Sequence, residues 1–359
     1  MTRLIRAVID SGALRHNLAV IRARAAGARV MAVVKANAYG HGLEQTALAL
    51  PQADSFAVAR LEEGVRLRER GVRAPIVLLE GVFTDEQQRE AHRFDLQWVV
   101  HDALQVELLA GAGIAPPAVW IKLDTGMNRL GFRPDAFQEA YRRLCALRPG
   151  PAHIRLMTHL ACADEPDGEM TREQLARFHA AAGNLPNETS IANSAGIFGT
   201  VPVGGQWVRP GLALYGVSPF GRGTGRDLGL RPVMSLETAV IAIRSVPRGE
   251  TVGYGATWRA ACDSRIAIVA AGYGDGLPRN LPSGVRVRIR GVAAPLCGRV
   301  SMDMIAVDVS APEHAQVNIG APVVLWGEDP PVETLARAAG TIPYELLCAV
   351  SQRVPYELR

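Results

Sequence analysis

Arg29-Val-Met-Ala-Val-Val34 is a short run of apolar and β-branched residues, as expected of a buried strand. Similar runs recur along the first two thirds of the chain, and segments with apolar residues at three- and four-residue spacing separate most of them. This alternation of strands and helices is typical of a parallel βα fold. We predict eight strands, at residues 29–34, 55–58, 75–80, 97–100, 118–123, 154–158, 189–192 and 208–214. The predicted helices include 60–70, 84–93, 103–111, 134–147 and 170–183.

Eight parallel strands are the number that closes a TIM barrel. The alternative is an open doubly wound sheet. No GxGxxG motif follows the first strand, so no dinucleotide-binding fingerprint favours that alternative. We therefore predict a TIM (β/α)8 barrel over residues 1–230.

The composition changes after about residue 230, where strand-like segments follow one another with few helices between them. These segments lie at 235–246, 265–271, 285–289, 304–309 and 322–326. We predict a smaller, mainly-β C-terminal domain over residues 231–359, which the Gly- and Arg-rich loop 219–227 joins to the barrel. A short strand at Ala7–Ile9 precedes the barrel and is a candidate member of this second domain.

The overall composition narrows the class of protein. The chain has 359 residues, enough for two domains, and 48% of them are hydrophobic and 21% charged. The formal net charge is only +4, without a basic block, so we expect no nucleic-acid partner. We find no signal peptide or membrane span, and the five cysteines are scattered without a CxxC. We expect a cytoplasmic protein with no membrane partner and no metal.

Lysine is rare in this chain, because 37 of the 39 basic residues are arginine and only Lys35 and Lys122 are lysine. Genomic bias is the simplest source of such a preference. A lysine retained against it also marks a place where amine chemistry is needed, since lysine can form a Schiff base and arginine cannot. Both lysines lie at the carboxyl ends of predicted strands, where TIM barrels carry their catalytic residues.

Other polar residues lie beside the predicted strands. They are His159 after the sixth strand, Asn193 and Ser194 after the seventh, and Arg209 at the start of the eighth. Each is weak evidence taken singly, since a lone histidine is more often a core residue than a catalyst. Together they predict a functional site at one mouth of the barrel.

Several local sequences resemble those of one enzyme family. Val33-Val-Lys-Ala-Asn-Ala-Tyr-Gly-His-Gly42 closely resembles the cofactor-lysine motif of alanine racemases, in the fold-type III group of pyridoxal-phosphate enzymes. The resemblance covers nearly the whole chain and continues, in the family's order, through 123–131, 157–160, 193–194, 208–216, 253–258, 272–276 and 298–303. It implies interconversion of L- and D-alanine with pyridoxal 5'-phosphate as cofactor, which supplies D-alanine for peptidoglycan.

The resemblance also implies which residues bind the cofactor. Lys35 carries pyridoxal phosphate covalently, and its amine serves as a base once the substrate has displaced it. Arg209 hydrogen-bonds the pyridine nitrogen, and His159 orients Arg209. The phosphate contacts are assigned to Tyr39, Asn193, Ser194, Gly211 and Leu212. A packing role for Tyr39 and a helix N-cap role for Ser194 are the structural alternatives.

Racemisation needs an acid/base group on each face of the substrate α-carbon. Lys35 serves one face, and the resemblance places Tyr254, from the β-rich domain of a second copy, at the other. It therefore implies a homodimer with shared active sites. Arg129 corresponds to the residue that binds the substrate carboxylate, and Lys122 to a lysine that is carbamylated in many members, with an unmodified lysine as the alternative. The remaining implied residues are Met302 and Asp303 in the substrate pocket and Tyr273 at its entrance.

Three other functions stay open at this stage. A racemase of broader amino-acid specificity would share the cofactor site and both bases. A decarboxylase of the same fold group would need an acidic group on the pyridine nitrogen, which Arg209 disfavours. A non-catalytic pyridoxal-phosphate-binding protein would lack the second domain and Tyr254.

Overall fold

The computed structural model describes residues 4–111, 113–148, 150, 152–165 and 167–359. The chain begins with strand β1 (Arg6–Ile9) and helix α1 (Ser11–Arg24) and then enters a closed barrel of eight parallel strands. The barrel strands are β2 (Arg29–Val33), β3 (Ser55–Val58), β4 (Ile76–Leu78), β5 (Gln97–Val100), β6 (Val119–Lys122), β7 (Ile154–Met157), β8 (Thr189–Asn193) and β9 (Trp207–Arg209). The pairing of Arg29 in β2 with Trp207 in β9 closes the barrel.

Helical segments follow the barrel strands. They are α2 (Lys35–Gly40), α3 (Leu43–Ala49), α4 (Leu61–Glu69), α5 (Asp85–Arg93), α6 (Ala103–Gly111), α7 (Pro134–Ala146), α8 (Glu169–Ala182) and α9 (Ser194–Phe198). Helix α7 shows how the sequence specifies them: Pro134 suits the first turn, and Phe137, Ala140 and Leu144 form one buried face.

The second part of the chain is mainly β. Its strands are β10 (Met234–Val246), β11 (Thr251–Val252), β12 (Trp258–Arg259), β13 (Ser264–Val269), β14 (Arg286–Ile289), β15 (Val292–Cys297), β16 (Ile305–Asp308), β17 (Pro322–Trp326) and β18 (Tyr356–Leu358). Two helices follow β17, namely α10 (Val332–Ala338) and α11 (Pro343–Ala349). Buried and partly exposed residues alternate through Met234–Val240, which gives β10 one face toward the core.

Two of the contacts between the two parts of the chain bear on the position of the site. Strand β1 joins the sheet of the second part, because it pairs antiparallel with β10 and parallel with β18. Helix α11 packs on α2 so closely that a Cβ atom at Gly40 would lie 2.0 Å from the carbonyl oxygen of Leu347. The C-terminal helix thereby covers the segment that carries Lys35.

The predicted fold class, a TIM barrel followed by a mainly-β domain, is confirmed. The extent of the eighth strand is wrong: β9 ends at Arg209, and a 3₁₀ helix, Leu212–Tyr215, occupies most of the rest of the predicted strand. Arg209 is therefore the last residue of its strand and not the first. The following Pro210 has no N–H to donate to a ladder, and this favours an end to the strand there.

Other parts of the second domain were not predicted. Strand β15 and helices α10 and α11 lie where the sequence analysis expected turns and few helices, and the loop 219–227 runs into a 3₁₀ helix at Gly225–Leu228. In the described part of the chain, no helix combines the length and the apolar character needed to cross a membrane.

Candidate active site

A cavity of about 490 Å3 lies at the carboxyl ends of the barrel strands. Ten of the fourteen predicted site residues line it: Lys35, Tyr39, Lys122, Arg129, His159, Asn193, Ser194, Arg209, Gly211 and Leu212. Most of them lie at the end of a strand or just after it, which is where the barrel fold gathers polar groups from distant parts of a sequence.

The four predicted residues of the β-rich domain do not line this cavity within one chain. Tyr254 lies in the 3₁₀ helix Tyr254–Ala256 between β11 and β12, and it is 66% exposed. Tyr273 and Met302 are also exposed. Asp303 forms an ion pair of 2.8 Å with Arg353, which also pairs with buried Asp275 at 2.8 Å.

Lys35 begins a backbone turn of unusual handedness. The four residues after it, Ala36 to Tyr39, all have φ of 53–54° and none is glycine. A left-handed turn costs roughly 1–2 kcal/mol for each such residue, so the surroundings must hold it in place. Glu63 accepts a hydrogen bond of 2.7 Å from the Ala36 amide, and the Ala38 amide donates to the Val34 carbonyl at 2.8 Å. Such maintained strain is typical of functional sites.

Arg209 is a buried cation in the wall of the cavity, held in place by several hydrogen bonds. Its guanidinium donates to Ser190 Oγ at 2.6 Å and to the Thr158 carbonyl at 2.5 Å, and it lies 3.3 Å from His159 Nδ1. Burial lowers the pKa of Arg209 to about 10, which still leaves it charged at neutral pH. It forms no ion pair with any residue that the structure describes.

His159 accepts a hydrogen bond from this arginine. Arginine can only donate, so Nδ1 of His159 carries the lone pair. Burial, together with the charges of Arg209, Lys122 and Arg129, holds the pKa of His159 well below its usual range. The ring is therefore neutral at neutral pH and adds no charge beside Arg209.

Lys122 ends strand β6 and is buried beside other cations. Burial and the charges of Arg209 and Arg129 lower the pKa of Lys122 to about 8. A fraction of its amine is therefore uncharged near neutral pH, and only the uncharged amine reacts with carbon dioxide to form a carbamate. Among the described residues that line the cavity, Glu80 is the single acid, and the cations are Lys35, Lys122, Arg129 and Arg209. The cavity therefore favours an anionic occupant.

The cavity wall after β8 and β9 carries neutral hydrogen-bonding groups. Ser194 Oγ is buried and accepts hydrogen bonds from the amides of Gly211 at 3.0 Å and Ala213 at 3.3 Å. Tyr39 closes over Gly211, where an added Cβ would lie 2.4 Å from the phenol oxygen. Burial raises the pKa of Tyr39, so its hydroxyl keeps its proton and can donate it. The N-cap of α9 is Asn193, whose Oδ1 accepts from the Gly196 amide at 2.9 Å, so Ser194 is not the N-cap.

These groups fit pyridoxal phosphate. The cavity offers an amine at Lys35, a buried arginine that can only donate at Arg209, and a cluster of neutral donors around Gly211. They match, in turn, an aldehyde, a ring nitrogen and a phosphate group. Among the described residues, no group of three or more His, Cys, Asp and Glu side chains is placed to hold a metal ion.

Three polar lining residues were not predicted. Glu80 ends the predicted strand 75–80 and lies two residues after the end of β4, so the strand-end rule applies to it although the sequence analysis did not name it. Tyr344 and Cys348 belong to α11, which reaches the cavity from the other end of the chain. No local sequence signal indicates that placement, because it depends on how α11 packs on α2.

Two family models match the chain. The one described as "Alanine racemase, N-terminal domain" matches residues 9–219, and the one described as "Alanine racemase, C-terminal domain" matches residues 233–358. The chain belongs to the alanine racemase family. Among curated relatives, the alanine racemases of Shewanella woodyi and Shewanella loihica are each 47% identical over 350 residues, which cover 97% of this chain and 97% of theirs.

Solved structures of alanine racemases share the whole architecture. The biosynthetic alanine racemase of Pseudomonas aeruginosa superposes with a TM-score of 0.95 at 43% identity, with all of both chains covered. The alanine racemase of Bartonella henselae, solved with covalently bound pyridoxal phosphate, superposes with a TM-score of 0.89 at 30% identity, again over both complete chains. The likeness therefore extends through the barrel and the β-rich part alike.

Proposed function

We propose that this protein interconverts L- and D-alanine with pyridoxal phosphate bound covalently to Lys35, and that it supplies D-alanine for peptidoglycan. The observation that carries the proposal is the buried Arg209, which lies in the same cavity as Lys35 and has no acidic partner among the described residues. This arrangement suits a reaction that removes and returns a proton without a strong electron sink.

Pyridoxal phosphate, when bound, supplies an electron-accepting ring that makes the α-hydrogen of the attached amino acid acidic. Arg209 donates a hydrogen bond to the ring nitrogen and keeps its own proton, since its pKa stays near 10. His159 fixes the guanidinium through Nδ1. Because Arg209 limits the electron sink, side reactions have little time to occur, and racemisation is favoured over decarboxylation.

The phosphate group is assigned to the neutral wall of the cavity. Tyr39 and Ser194 donate hydroxyl hydrogen bonds, and the backbone at Gly211 and Leu212, with the turn at Asn193, surrounds the remaining oxygens. The absence of a side chain at Gly211 lets Tyr39 approach to this distance.

Two bases then work on opposite faces of the substrate α-carbon. Lys35 exchanges the proton of D-alanine, and Tyr254 of the partner subunit exchanges that of L-alanine. The exposure of Tyr254, outside the cavity of its own chain, supports a homodimer in which each chain completes the other's site. Met302 and Asp303 shape the substrate pocket from the same exposed surface, and Tyr273 lies at its entrance.

Arg129 is proposed to bind the alanine carboxylate, as a guanidinium matches a carboxylate in a bidentate pair. Lys122 lies in the same cavity, and the lowering of its pKa to about 8 supports carbamylation. A carbamate would convert this cation into an anion and orient Arg129.

Domain limits and location complete the proposal. We place the barrel domain at residues 1–230 and the β-rich domain at 231–359, with β1 crossing from the first into the sheet of the second. All five cysteines are free thiols, which suits a reducing cytoplasm. They are Cys145, Cys162, Cys262, Cys297 and Cys348. A racemase of broader specificity is the alternative, since it would use the same residues.

The decisive experiment follows both enantiomers in deuterated water. The wild-type protein, supplied with pyridoxal phosphate and L-alanine, is expected to approach an equal mixture with D-alanine by chiral chromatography. A Tyr254→Phe variant keeps Lys35, so it should still exchange the α-hydrogen of D-alanine while racemisation falls by about 10²–10⁴-fold. Tyr141→Phe, which changes a tyrosine hydrogen-bonded to Asn187 away from the cavity, is the control and should behave as wild type. If alanine is untouched although the cofactor binds, the assignment fails, and serine, lysine and arginine are tested next.

A further inference from the structure

His41 directly follows α2, the segment that contains the left-handed turn, and it is 1% exposed. Its Nδ1 atom lies 3.0 Å from the Ala38 carbonyl and 2.9 Å from the Tyr39 carbonyl. Carbonyl oxygens only accept, so Nδ1 carries the proton and donates to both. Burial lowers the pKa of His41 to about 4, so the ring is neutral, and its Nε2 has no hydrogen-bond partner among the described residues.

Tyr215, in the 3₁₀ helix after β9, stacks on His41 with ring centroids 4.4 Å apart. Its hydroxyl donates to the Val33 carbonyl at 3.0 Å, and its ring lies 4.9 Å from that of Tyr39. Val33 is two residues before Lys35, whereas the carbonyls bound by His41 are three and four residues after it. The stacked pair therefore holds the backbone on both sides of Lys35.

We propose that His41 and Tyr215 are positioning residues that set the direction of the Lys35 amine, an inference that rests on the proposed role of Lys35. Neither residue lines the cavity, so neither touches cofactor or substrate. They act on the backbone that carries the amine. A reacting group displaced by about 1 Å loses roughly a hundredfold in rate, so a small relaxation of the turn is enough to be measured.

Four variants separate positioning from stability. His41→Leu removes the donor and keeps apolar volume, whereas His41→Asn keeps an N–H donor close to the place of Nδ1. Tyr215→Phe removes the bond to Val33 and keeps the ring stack. Glu188→Gln weakens an ion pair with Arg155, 2.7 Å long, at the opposite end of the barrel, and it controls for loss of stability alone.

Two readouts report on Lys35. The first is the rate at which the full-length chain, freed of cofactor, captures added pyridoxal phosphate on Lys35, followed by visible absorbance and confirmed by borohydride reduction and peptide mapping. The second is the ratio of α-hydrogen exchange of D-alanine to that of L-alanine in deuterated water. His41→Leu and Tyr215→Phe should slow capture about tenfold and reduce D-alanine exchange more than L-alanine exchange. His41→Asn should recover most of the loss, and Glu188→Gln should leave both readouts unchanged.

The proposal is overturned if His41→Leu and Tyr215→Phe capture the cofactor at the wild-type rate, or if His41→Asn is no better than His41→Leu. It is also overturned if Glu188→Gln changes the exchange ratio in the same way. Should His41→Leu not fold, Tyr215→Phe decides the matter, because it keeps both rings. If the wild-type chain captures cofactor on Lys35 and does not racemise alanine, the proposed function fails while the capture rates still test the positioning.

Discussion

The two ends of the barrel differ in whether their charged side chains form ion pairs. At the amino end, Glu188 pairs with Arg29 and with Arg155 at 2.7 Å, and accepts a hydrogen bond of 3.0 Å from Trp207 Nε1. The Arg29 guanidinium also lies 4.2 Å from the centroid of the Trp207 ring. At the carboxyl end, Lys35, Lys122, Arg129 and Arg209 share a cavity, and none forms an ion pair with a described residue.

This difference indicates that the amino end contributes to stability and the carboxyl end to function. Paired charges at the amino end satisfy one another inside the chain, so they contribute to folding and leave no place for a ligand. The unpaired cations at the carboxyl end are costly in the free protein and are compensated when an anion binds. The left-handed turn of four non-glycine residues adds a further cost at this end, and hydrogen bonds within the chain hold it in place. Changes at the carboxyl end should therefore reduce activity more than stability, and changes at the amino end should do the reverse.

The largest effect is expected from Lys35→Ala. This change removes the proposed cofactor attachment and one of the two proposed bases, so racemisation should fall by at least about 10³-fold. The unfolding midpoint of the cofactor-free chain should not fall, because one of four neighbouring cations has gone. Chiral chromatography measures the first quantity and thermal unfolding the second. A large loss of stability with Lys35→Ala would contradict the contrast between the two ends.

A smaller effect is expected from Gly211→Ala. The new Cβ would lie 2.4 Å from the Tyr39 hydroxyl and 3.1 Å from Cζ of its ring. Tyr39 must therefore move away from the neutral wall of the cavity, to which the phosphate group is assigned. Loss of the hydrogen bond that the Tyr39 hydroxyl is proposed to donate to the phosphate group should weaken cofactor binding by about tenfold, measured by equilibrium titration. Gly221→Ala is the matched control, because nothing lies within 4 Å of a Cβ there.

A double variant tests the cause of that loss. Tyr39→Phe removes the hydroxyl that the Gly211→Ala methyl group would meet. If the clash with Tyr39 is responsible, the combined variant should lose less affinity than the sum of the two single variants. Simple additivity of the two losses would show that Gly211 acts in some other way.

The smallest effect is expected at the amino end, from Glu188→Gln. Burial alone would raise the pKa of Glu188, but hydrogen bonds from Trp207, Arg155 and Arg29 outweigh burial and lower the pKa to about 2. Its folded-state pKa is therefore below the unfolded value, so its stabilisation is complete above the unfolded pKa and is lost as the pH falls toward 2. Glu188→Gln should lower the free energy of unfolding by about 1 kcal/mol at neutral pH, a figure kept small because the side chain is 37% exposed.

The measurement is the difference in unfolding free energy between wild type and Glu188→Gln as the pH is lowered. That difference should shrink between about pH 5 and pH 2, while racemase activity at neutral pH stays at the wild-type level. A difference that persists unchanged at low pH would mean that the charge of Glu188 is not what stabilises this end.

Much of the fold was predictable because its signals are local. Apolar runs such as 97–100 and 118–123 became strands within one residue of their predicted ends, since a buried parallel strand needs little more than such a run. The strand-end rule also gathered Lys35, Lys122 and His159 at one mouth, because parallel strands all end on the same side. Arg209 was predicted at the start of its strand, and it reaches this mouth because it is the last residue of β9. The prediction was wrong at Arg209–Leu214, where Pro210 and the packing of Tyr215 favour a 3₁₀ helix over an extended strand.

The sequence by itself determined the barrel, the β-rich second domain and the set of strand-end residues, because spacing and residue type specify these locally. Only the tertiary structure decided the handedness of the turn after Lys35 and the hydrogen bonds that His41 and Tyr215 make on either side of Lys35. It also decided that Tyr344 and Cys348, from α11, line the cavity. Each of these depends on contacts between segments that are far apart in the chain. The energy of such contacts, unlike local propensity, exists only once the segments have packed together.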